Sequence, residues 1–223
     1  TISARSVVER VGRSTSGRRA FVRQVAWRDF YTQVLFQSPQ TIDHAYREEF
    51  DSIEWADDDA AAEAWLSGQT GYPIVDAGMR QLRLEGWMHG RVRMITASFL
   101  VKDLGIDWRI GERHFRRHLI DADPSQNVGN WQWTAGTGVD AAPYFRIMNP
   151  VAQSRRFDPG GDYIRRFVPE LAALDDATIH APWERPLEVA AAGVVLGNDY
   201  PSPIVDHAEA REITLRRFTT AKA

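Results

Sequence analysis

The chain has 223 residues, enough for one large domain or two small ones, and its 43% hydrophobic and 26% charged residues indicate a folded core. It contains no cysteine, which excludes disulfides, thiolate zinc sites and cysteine nucleophiles. No apolar run approaches the roughly 20 residues of a membrane-spanning helix, and the polar N-terminal residues lack the apolar region of a signal peptide. We therefore expect an intracellular, cytoplasmic protein.

The arginines are clustered, although the formal net charge of −3 by itself argues against a nucleic-acid binder. The clusters lie in residues 5–28, 80–93, 109–117 and 146–166, whereas residues 43–63 are acidic. The arginine guanidinium can bind a phosphate through two hydrogen bonds and can stack on aromatic rings. Clustered arginines are also typical of solvated helix faces. Both interpretations stay open on charge alone.

Apolar spacing and capping residues predict helices along the first half of the chain. Ser3 suits an N-cap, Gly68 suits a helix end and Pro73 suits a first helical position. The predicted helices span residues 3–11, 18–36, 58–67 and 74–85.

Further along, residues 91–104 are apolar nearly all round, which predicts a buried central helix in which an arginine such as Arg93 needs an anionic partner. Short helices are predicted over 111–119 and 206–219. Gly-, Pro- and Asp-rich residues 134–162 are predicted to form an ordered loop, and proline-containing 181–205 an extended segment. Strand alternation, internal repeats and low-complexity tracts are absent, so the fold class is all-α.

The most informative stretch is residues 121–150, which sets two carboxylates, a carboxamide and two tryptophans among glycines: Asp121, Asp123, Asn127, Trp131 and Trp133. Tryptophan is costly to expose, and buried Asp or Asn needs partners. A flat heteroaromatic ligand with a polar edge would meet both demands. The residues alone leave other interpretations open, since the acids could lie in a surface loop and the rings could be core, base-stacking platforms or electron relays.

Sequence motifs exclude several chemistries. There is no P-loop, G-x-G-x-x-G motif or nucleophile elbow. The histidines and acids lack the spacing of a metal site, so no metal is predicted.

Three long blocks, GQTGYPIVDAGMRQL, GWMHGRVRMITASFLVKDLGIDW and NWQWTAGTGVDAAPYFRIMNP, closely resemble the FAD-binding helical domain of the DNA photolyase/cryptochrome family. WRDFY and DYPSPIVDHAEAR agree with it, and the match is collinear over about residues 1–219. Among family members the chain is most similar to bacterial cyclobutane pyrimidine dimer photolyases. The resemblance implies an all-α domain that binds FAD and repairs pyrimidine dimers in UV-damaged DNA by light-driven electron transfer from the reduced cofactor.

The resemblance also assigns site residues. Asp121 and Asp123 match acids along the flavin, Arg93 matches the arginine paired with Asp121, and Asn127 matches the residue beside flavin N5. The full set of matched cofactor-binding residues is Phe21, Arg28, Arg93, Phe115, Asp121, Ala122, Asp123 and Asn127.

Two further sets follow from the resemblance. Trp131, Trp108 and Trp55 match a tryptophan chain that passes electrons to oxidised flavin, with Trp131 nearest the flavin and Trp55 outermost. The residues matched to the lesion pocket and DNA contacts are Gln24, Trp27, Gly90, Arg91, Met94 and Trp133. A flipped-out lesion explains such a pocket, because a distorted dimer is easier to unstack than intact bases.

The chain departs from the family pattern at three places. Gln24 stands where bacterial cyclobutane-dimer photolyases usually have Glu, and Gly90 stands where Asn is usual. The Thr-Ser-x-Leu-Ser loop that holds the FAD diphosphate is not found before residue 1. We therefore expect residues 1–223 to be a single FAD-binding catalytic domain truncated at its N-terminus, without the α/β antenna domain and the second chromophore expected on it.

Gln24 and Gly90 keep an alternative open, a cryptochrome-like blue-light sensor with the same flavin site and no repair activity. A six-four or single-strand-selective photolyase is a further alternative, although Met94 favours the cyclobutane class. The expected partner is UV-damaged DNA rather than a membrane, and we expect a monomer that associates with the bacterial nucleoid when bound to DNA.

Overall fold

The computed structural model describes residues 2–143 and 145–221, so Tyr144 of the predicted loop lies outside the described residues. The described chain is all-α, as predicted, with no strand among those residues. Its α-helices are α1 (Ala4–Val11), α2 (Ser16–Gln37), α3 (Asp59–Ser67), α4 (Pro73–Glu85), α5 (Gly90–Ser98), α6 (Trp108–His118), α7 (Pro124–Ala135), α8 (Pro150–Phe157), α9 (Asp162–Phe167), α10 (Pro186–Ala191) and α11 (His207–Ala221).

Side-chain caps explain where several helices begin. Ser3 accepts a hydrogen bond from the Ser6 amide at the start of α1, and Asp58 caps α3 in the same way. Asp107 begins α6 one turn earlier than the apolar pattern predicts. Gly68 ends α3 with φ 71°, a left-handed conformation that favours glycine.

Two predictions for the second half of the chain are wrong in part. Residues 134–162 are not all loop, because they contain the end of α7 and the whole of α8, and residues 181–205 contain α10. Proline ends a helix only when it lies in the interior, whereas Pro150 and Pro186 each occupy the first turn, where the missing N–H costs nothing.

The predicted central helix over 91–104 is interrupted. Helix α5 ends at Ser98, and residues Phe99–Asp103 continue as a π-helical turn. This wider turn buries Lys102 and Asp103 as well as its apolar residues. Such π-turns occur often at functional sites.

Helix α4 lies at the centre of the core and packs against α3, α5 and α9. Helix α7 packs against α2, α5 and α6, and these four helices surround the cavity described below. In the described part of the chain, none of the helices combines the length and the hydropathy needed to cross a bilayer.

Candidate functional site

A cavity of about 460 Å³ lies between α2, α5, α6 and α7. Its size is in the range of small-molecule and cofactor sites, and its lining is mostly apolar with a few polar groups. The lining residues are Gln24, Trp27, Tyr31, Gly90, Arg93, Met94, Ala97, Phe115, Leu119, Asp121, Ala122, Asp123, Gln126, Asn127, Asn130, Trp131, Trp133, Thr134 and Asp140.

An ion pair forms one polar edge of the cavity. Arg93 donates from Nη2 to both oxygens of Asp121, at 3.1 and 3.0 Å. Its Nε donates to the Met88 carbonyl at 2.7 Å, which fixes the guanidinium plane. The pairing predicted for Arg93 and Asp121 is therefore present, and it leaves Asp121 half exposed at the cavity.

Asp123 begins α7 and lies beside the same edge. Its Oδ1 accepts hydrogen bonds from the Ser125 hydroxyl and the Gln126 amide, and Arg28 lies 3.9 Å from Oδ2. Partial burial alone would raise the pKa of Asp123, but these hydrogen bonds and the Arg28 charge outweigh it and lower that pKa. Asp123 is therefore an acceptor-only carboxylate at neutral pH.

Asn127 is buried one turn further along α7, and its carboxamide is oriented by Glu112 of α6. Its Nδ2 donates to the backbone carbonyl and to Oε1 of Glu112, both at 2.9 Å. Glu112 is itself buried, and Arg116 lies 3.5 Å from its Oε1. No described residue donates to Asn127 Oδ1, so this oxygen can accept a hydrogen bond from a group in the cavity.

Aromatic rings also line the cavity. Trp27 and Tyr31 lie one turn apart on α2, with ring centres 5.8 Å apart, and Trp133 comes from α7. Burial, and then the Asp140 charge, raises the pKa of Tyr31 to about 12. Trp27 remains 37% exposed, so its ring can meet a further flat group.

Gly90 lies at the first position of α5, where a Cβ would meet nothing within 4 Å. The neighbouring Arg91 places its guanidinium carbon 4.6 Å from the centre of the Phe157 ring, and Arg156 lies 5.2 Å from the same ring. Neither arginine has a carboxylate partner among the described residues. Two guanidinium groups without a carboxylate partner therefore meet at the Phe157 ring, one of them on the residue that follows Gly90.

The three tryptophans predicted to pass electrons to the flavin differ in their surroundings and exposure. Trp131 lines the cavity and makes ring contacts with Phe115 and Trp65, at 5.0 and 6.1 Å between centres. Trp108 is 1% exposed in the core, and Trp55 is partly exposed, with its ring 6.5 Å from Phe218.

Twelve of the residues predicted from the resemblance line this one cavity: Gln24, Trp27, Gly90, Met94, Trp133, Arg93, Phe115, Asp121, Ala122, Asp123, Asn127 and Trp131. Five do not line it. Arg28 reaches its edge through Asp123, Arg91 stands at its rim, and Trp55 and Trp108 lie behind it. Phe21 is 47% exposed and outside the cavity.

Several cavity residues were not predicted, including Tyr31, Gln126, Asn130, Thr134 and Asp140. Tyr31 could have been found, because Gln24, Trp27 and Tyr31 follow the i, i+3, i+7 spacing of one helix face. Glu112 carries no sequence signal, since its role depends on the packing of α6 against α7. The described residues contain no group of three acids or histidines placed to hold a metal ion.

Comparison with known proteins agrees with this geometry. The model of the family described as FAD binding domain of DNA photolyase matches residues 21–220. The chain belongs to this family.

Curated relatives named deoxyribodipyrimidine photo-lyase are similar to the chain over most of its length. The protein from Agrobacterium fabrum is 53% identical over 91% of this chain and 42% of its own length, and that from Vibrio cholerae is 48% identical over 99% and 47%. The Escherichia coli protein is 49% identical over 91% of the chain and 42% of its own length. The chain therefore spans less than half the length of these relatives.

Solved structures of photolyases and a cryptochrome are also similar to the chain. A bacterial class III photolyase from Agrobacterium tumefaciens superposes with a TM-score of 0.94 at 49% identity, covering 99% of this chain and 47% of that one. A cryptochrome from Synechocystis has a TM-score of 0.91 at 40% identity, covering 96% and 46%. An archaeal photolyase from Sulfolobus tokodaii, solved with two FAD molecules, has a TM-score of 0.87 at 41% identity, covering 98% and 47%.

Proposed function

We propose that this chain is the catalytic part of a flavoprotein that repairs cyclobutane pyrimidine dimers in UV-damaged DNA with light. The observation that carries the proposal is the cavity itself, whose lining combines the polar side chains of Asp121, Asp123 and Asn127 with the rings of Trp27 and Trp133. A polar wall suits the edge of one flat ring system, and an aromatic wall suits the faces of another. The name shared by the curated relatives supports the same activity.

The residues present fit FAD in the polar half of the cavity. Asn127 Oδ1 is an open acceptor in a buried position, as an N–H of a reduced flavin ring requires. The Arg93–Asp121 pair and Asp123 supply a donor and acceptors to the ring edge and ribityl hydroxyls. When bound and reduced, FAD supplies the light-driven electron donor for splitting the dimer.

Asn127, oriented by Glu112, would accept a hydrogen bond from a protonated nitrogen at the flavin edge. Glu112 occupies the donor side of the carboxamide, so Asn127 can only accept at its other end. This arrangement favours the cofactor form with a proton at the facing nitrogen. Phe115 and Trp131, packed edge to face at 5.0 Å, exclude water from this side.

The aromatic half of the cavity fits a pair of pyrimidines taken out of the DNA stack. Trp27 and Trp133 offer ring faces and Met94 an adaptable apolar contact, while the Gln24 carboxamide can both donate to and accept from base edges. Flipping a dimer out is less costly than flipping intact bases, which adds selectivity for damage. At the rim, Arg91 and Arg156 would contact phosphates of the flanking strand.

Trp131, Trp108 and Trp55 are proposed to return the cofactor to its reduced form. Trp131 lines the cavity, Trp108 is buried in the core and Trp55 is partly exposed, which supports Trp131 as the inner and Trp55 as the outer member of the relay. Electrons would then pass inward from Trp55 while an external thiol restores the outermost ring. We also propose that the protein binds DNA as a monomer, in the cytoplasm and at the nucleoid.

Illumination of the purified, reduced protein with an oligonucleotide that carries one thymine cyclobutane dimer tests the proposal. We expect thymine absorbance near 260 nm to return with near-UV or blue light and not in the dark. A protein that binds FAD but restores no thymine absorbance contradicts the repair function. A colourless protein after full-length purification contradicts the flavin site as well.

A second candidate function is cryptochrome-like light sensing without repair. Gln24 and Gly90 line the lesion half of the cavity with residues that differ from the usual Glu and Asn, and the Synechocystis cryptochrome is a close structural neighbour. Photoreduction of the bound flavin together with failure to repair the oligonucleotide would favour this alternative.

A further inference from the structure

Lys102 is a buried amine with no carboxylate partner among the described residues. Its side chain lies in the π-helical turn Phe99–Asp103 and is 1% exposed. Nζ donates to the Ala135 carbonyl at 2.8 Å and lies 3.7 Å from the centre of the Phe218 ring. An ammonium group has three N–H donors, so one carbonyl and one ring face satisfy it incompletely.

The two contacts place Lys102 between parts of the proposed electron relay. Ala135 is the last residue of α7 and follows Trp131 by one helical turn. Phe218 packs edge to face against Trp55. The Phe218 ring therefore contacts both the Lys102 amine and the outermost tryptophan.

The charges around this amine leave it uncompensated. Helix α7 carries no charged residue, and on the neighbouring elements Asp103 pairs with His207. Arg217 of α11 lies beyond, near Glu54. Burial lowers the pKa of Lys102 to about 7, so its charge changes with pH in the neutral range.

We propose that Lys102 controls the tryptophan relay electrostatically, because its ammonium opposes the positive charge that arrives at Trp55. This inference rests on the relay of the proposed function. In each relay event one electron leaves the Trp55 indole, one electron refills Trp131 by way of Trp108, and an external thiol such as dithiothreitol later returns an electron to Trp55. Loss of the Lys102 proton, or of the amine, would favour this transfer.

The size of the effect follows from Coulomb's law. At a separation of roughly 10 Å and an effective dielectric constant of about 20, a unit charge shifts the equilibrium by on the order of tenfold. A shift of this size would change the fraction of relay events in which the positive charge reaches Trp55 before the electron returns from the flavin.

The test measures light-driven flavin reduction with dithiothreitol from pH 6 to 9 in the FAD-bound full-length protein. We expect the wild-type rate to rise several-fold with pH, because Lys102 loses its charge. Because the reactive thiolate fraction of dithiothreitol also rises over this range, each variant is compared with the wild-type protein at the same pH. Lys102→Met should be several-fold faster than the wild-type protein at pH 6 and nearly equal to it at pH 9, whereas Lys102→Arg should equal it at pH 6 and be several-fold slower at pH 9 because its guanidinium stays charged. Parallel pH profiles for all three proteins would overturn the proposal.

A measurement that needs no cofactor checks the charge itself. The folded pKa of Lys102 lies below the unfolded value, so the unfolded chain binds more protons above about pH 7 and stability rises with pH toward about 10. Lys102→Met should lack this part of the rise, and an unchanged slope would overturn the assignment. If Lys102→Met fails to fold, the wild-type and Lys102→Arg photoreduction profiles decide alone, since equal profiles refute the proposal.

Trp131→Phe separates this inference from the function on which it rests. If Trp131→Phe leaves photoreduction unchanged, the relay itself fails and Lys102 has nothing to control. If Trp131→Phe slows photoreduction but Lys102→Met does not alter its pH dependence, only the present inference fails.

Discussion

Trp131 packs directly on the backbone of Gly111, where α6 and α7 cross. A Cβ added at Gly111 would come within 2.1 Å of the indole Cη2 atom. Glycine at this position therefore allows the approach of the two helices that puts Trp131 at the cavity wall.

Gly111→Ala should destabilise the fold despite alanine's higher helix propensity. The gain of up to about 1 kcal/mol from propensity is outweighed by overpacking of about 1–3 kcal/mol, because a buried indole has no room to move. Urea unfolding followed by tryptophan fluorescence measures the change. Gly17→Ala is the matched control, since its Cβ meets nothing within 4 Å on exposed α2, and it should be neutral or stabilising. Equal effects of the two substitutions would contradict the packing argument.

The hydrogen bonds between Glu112 and Asn127 lead to a prediction about the bound flavin. Glu112→Leu removes the Oε1 acceptor and leaves only the Glu112 backbone carbonyl, so the Asn127 carboxamide is held by one hydrogen bond and its Oδ1 is less firmly aimed into the cavity. The loss of one oriented hydrogen bond, about 0.5–1.5 kcal/mol, should lower the one-electron flavin potential by on the order of 20–60 mV. Spectroelectrochemistry of the FAD-bound protein measures this shift.

Arg116→Gln provides the control for that experiment. It removes the 3.5 Å contact with Glu112 on the outer side of α6 but leaves both hydrogen bonds to Asn127 in place. The flavin potential should therefore change little. A higher potential in Glu112→Leu together with a lower potential in Arg116→Gln would mean that net charge, rather than Asn127 orientation, sets the potential.

Much of the fold could be predicted from local signals, because caps and apolar stripes act within one helix. Ser3, Asp58 and Gly68 define helix ends that hold in the structure. Helices α8 and α10 were missed because proline at a first turn resembles proline in a loop until the preceding cap is considered. The π-turn after Ser98 has no local signature at all, since it depends on burial of the whole turn.

Some residues of the candidate site can likewise be predicted from the local sequence, whereas others depend on tertiary packing. The polar and aromatic residues singled out in 121–150 carry their own sequence signal, and all five line the cavity: Asp121, Asp123, Asn127, Trp131 and Trp133. Tyr31 enters it through the packing of α2 against α7, and Glu112 acts through Asn127. The roles of all these residues toward flavin and DNA, and the extent of the domain, stay predictions.

Gly90→Asn should strengthen binding of a cyclobutane-dimer oligonucleotide in the dark. The site has open space for a side chain, its backbone φ is not in the left-handed region, and Asn can hydrogen bond a base edge. One such bond of about 0.5–1.5 kcal/mol corresponds to roughly a 2- to 10-fold lower Kd. Gly90→Ala, which adds the Cβ without the amide, should leave the Kd nearly unchanged. An unaltered Kd in Gly90→Asn would show that another group already makes this contact.

Asp76 should be among the most sensitive stability positions, because its buried carboxylate joins two distant segments. It accepts hydrogen bonds from the Thr70 amide and hydroxyl at 2.8 and 2.6 Å, from the Gly71 amide at 3.1 Å and from the Tyr200 hydroxyl at 2.5 Å. Asp76→Ala leaves these donors buried without an acceptor, which should cost about 3 kcal/mol or more of unfolding free energy.

Tyr200→Phe is the matched variant for Asp76→Ala, since it removes one of the four donors and keeps the ring. It should cost only about 1–2 kcal/mol, because the carboxylate retains three hydrogen bonds. Urea denaturation followed by circular dichroism compares the two variants with the wild-type protein. If both variants lose the same unfolding free energy, the Tyr200 hydrogen bond alone accounts for the contribution of Asp76, and the hydrogen bonds from Thr70 and Gly71 contribute little.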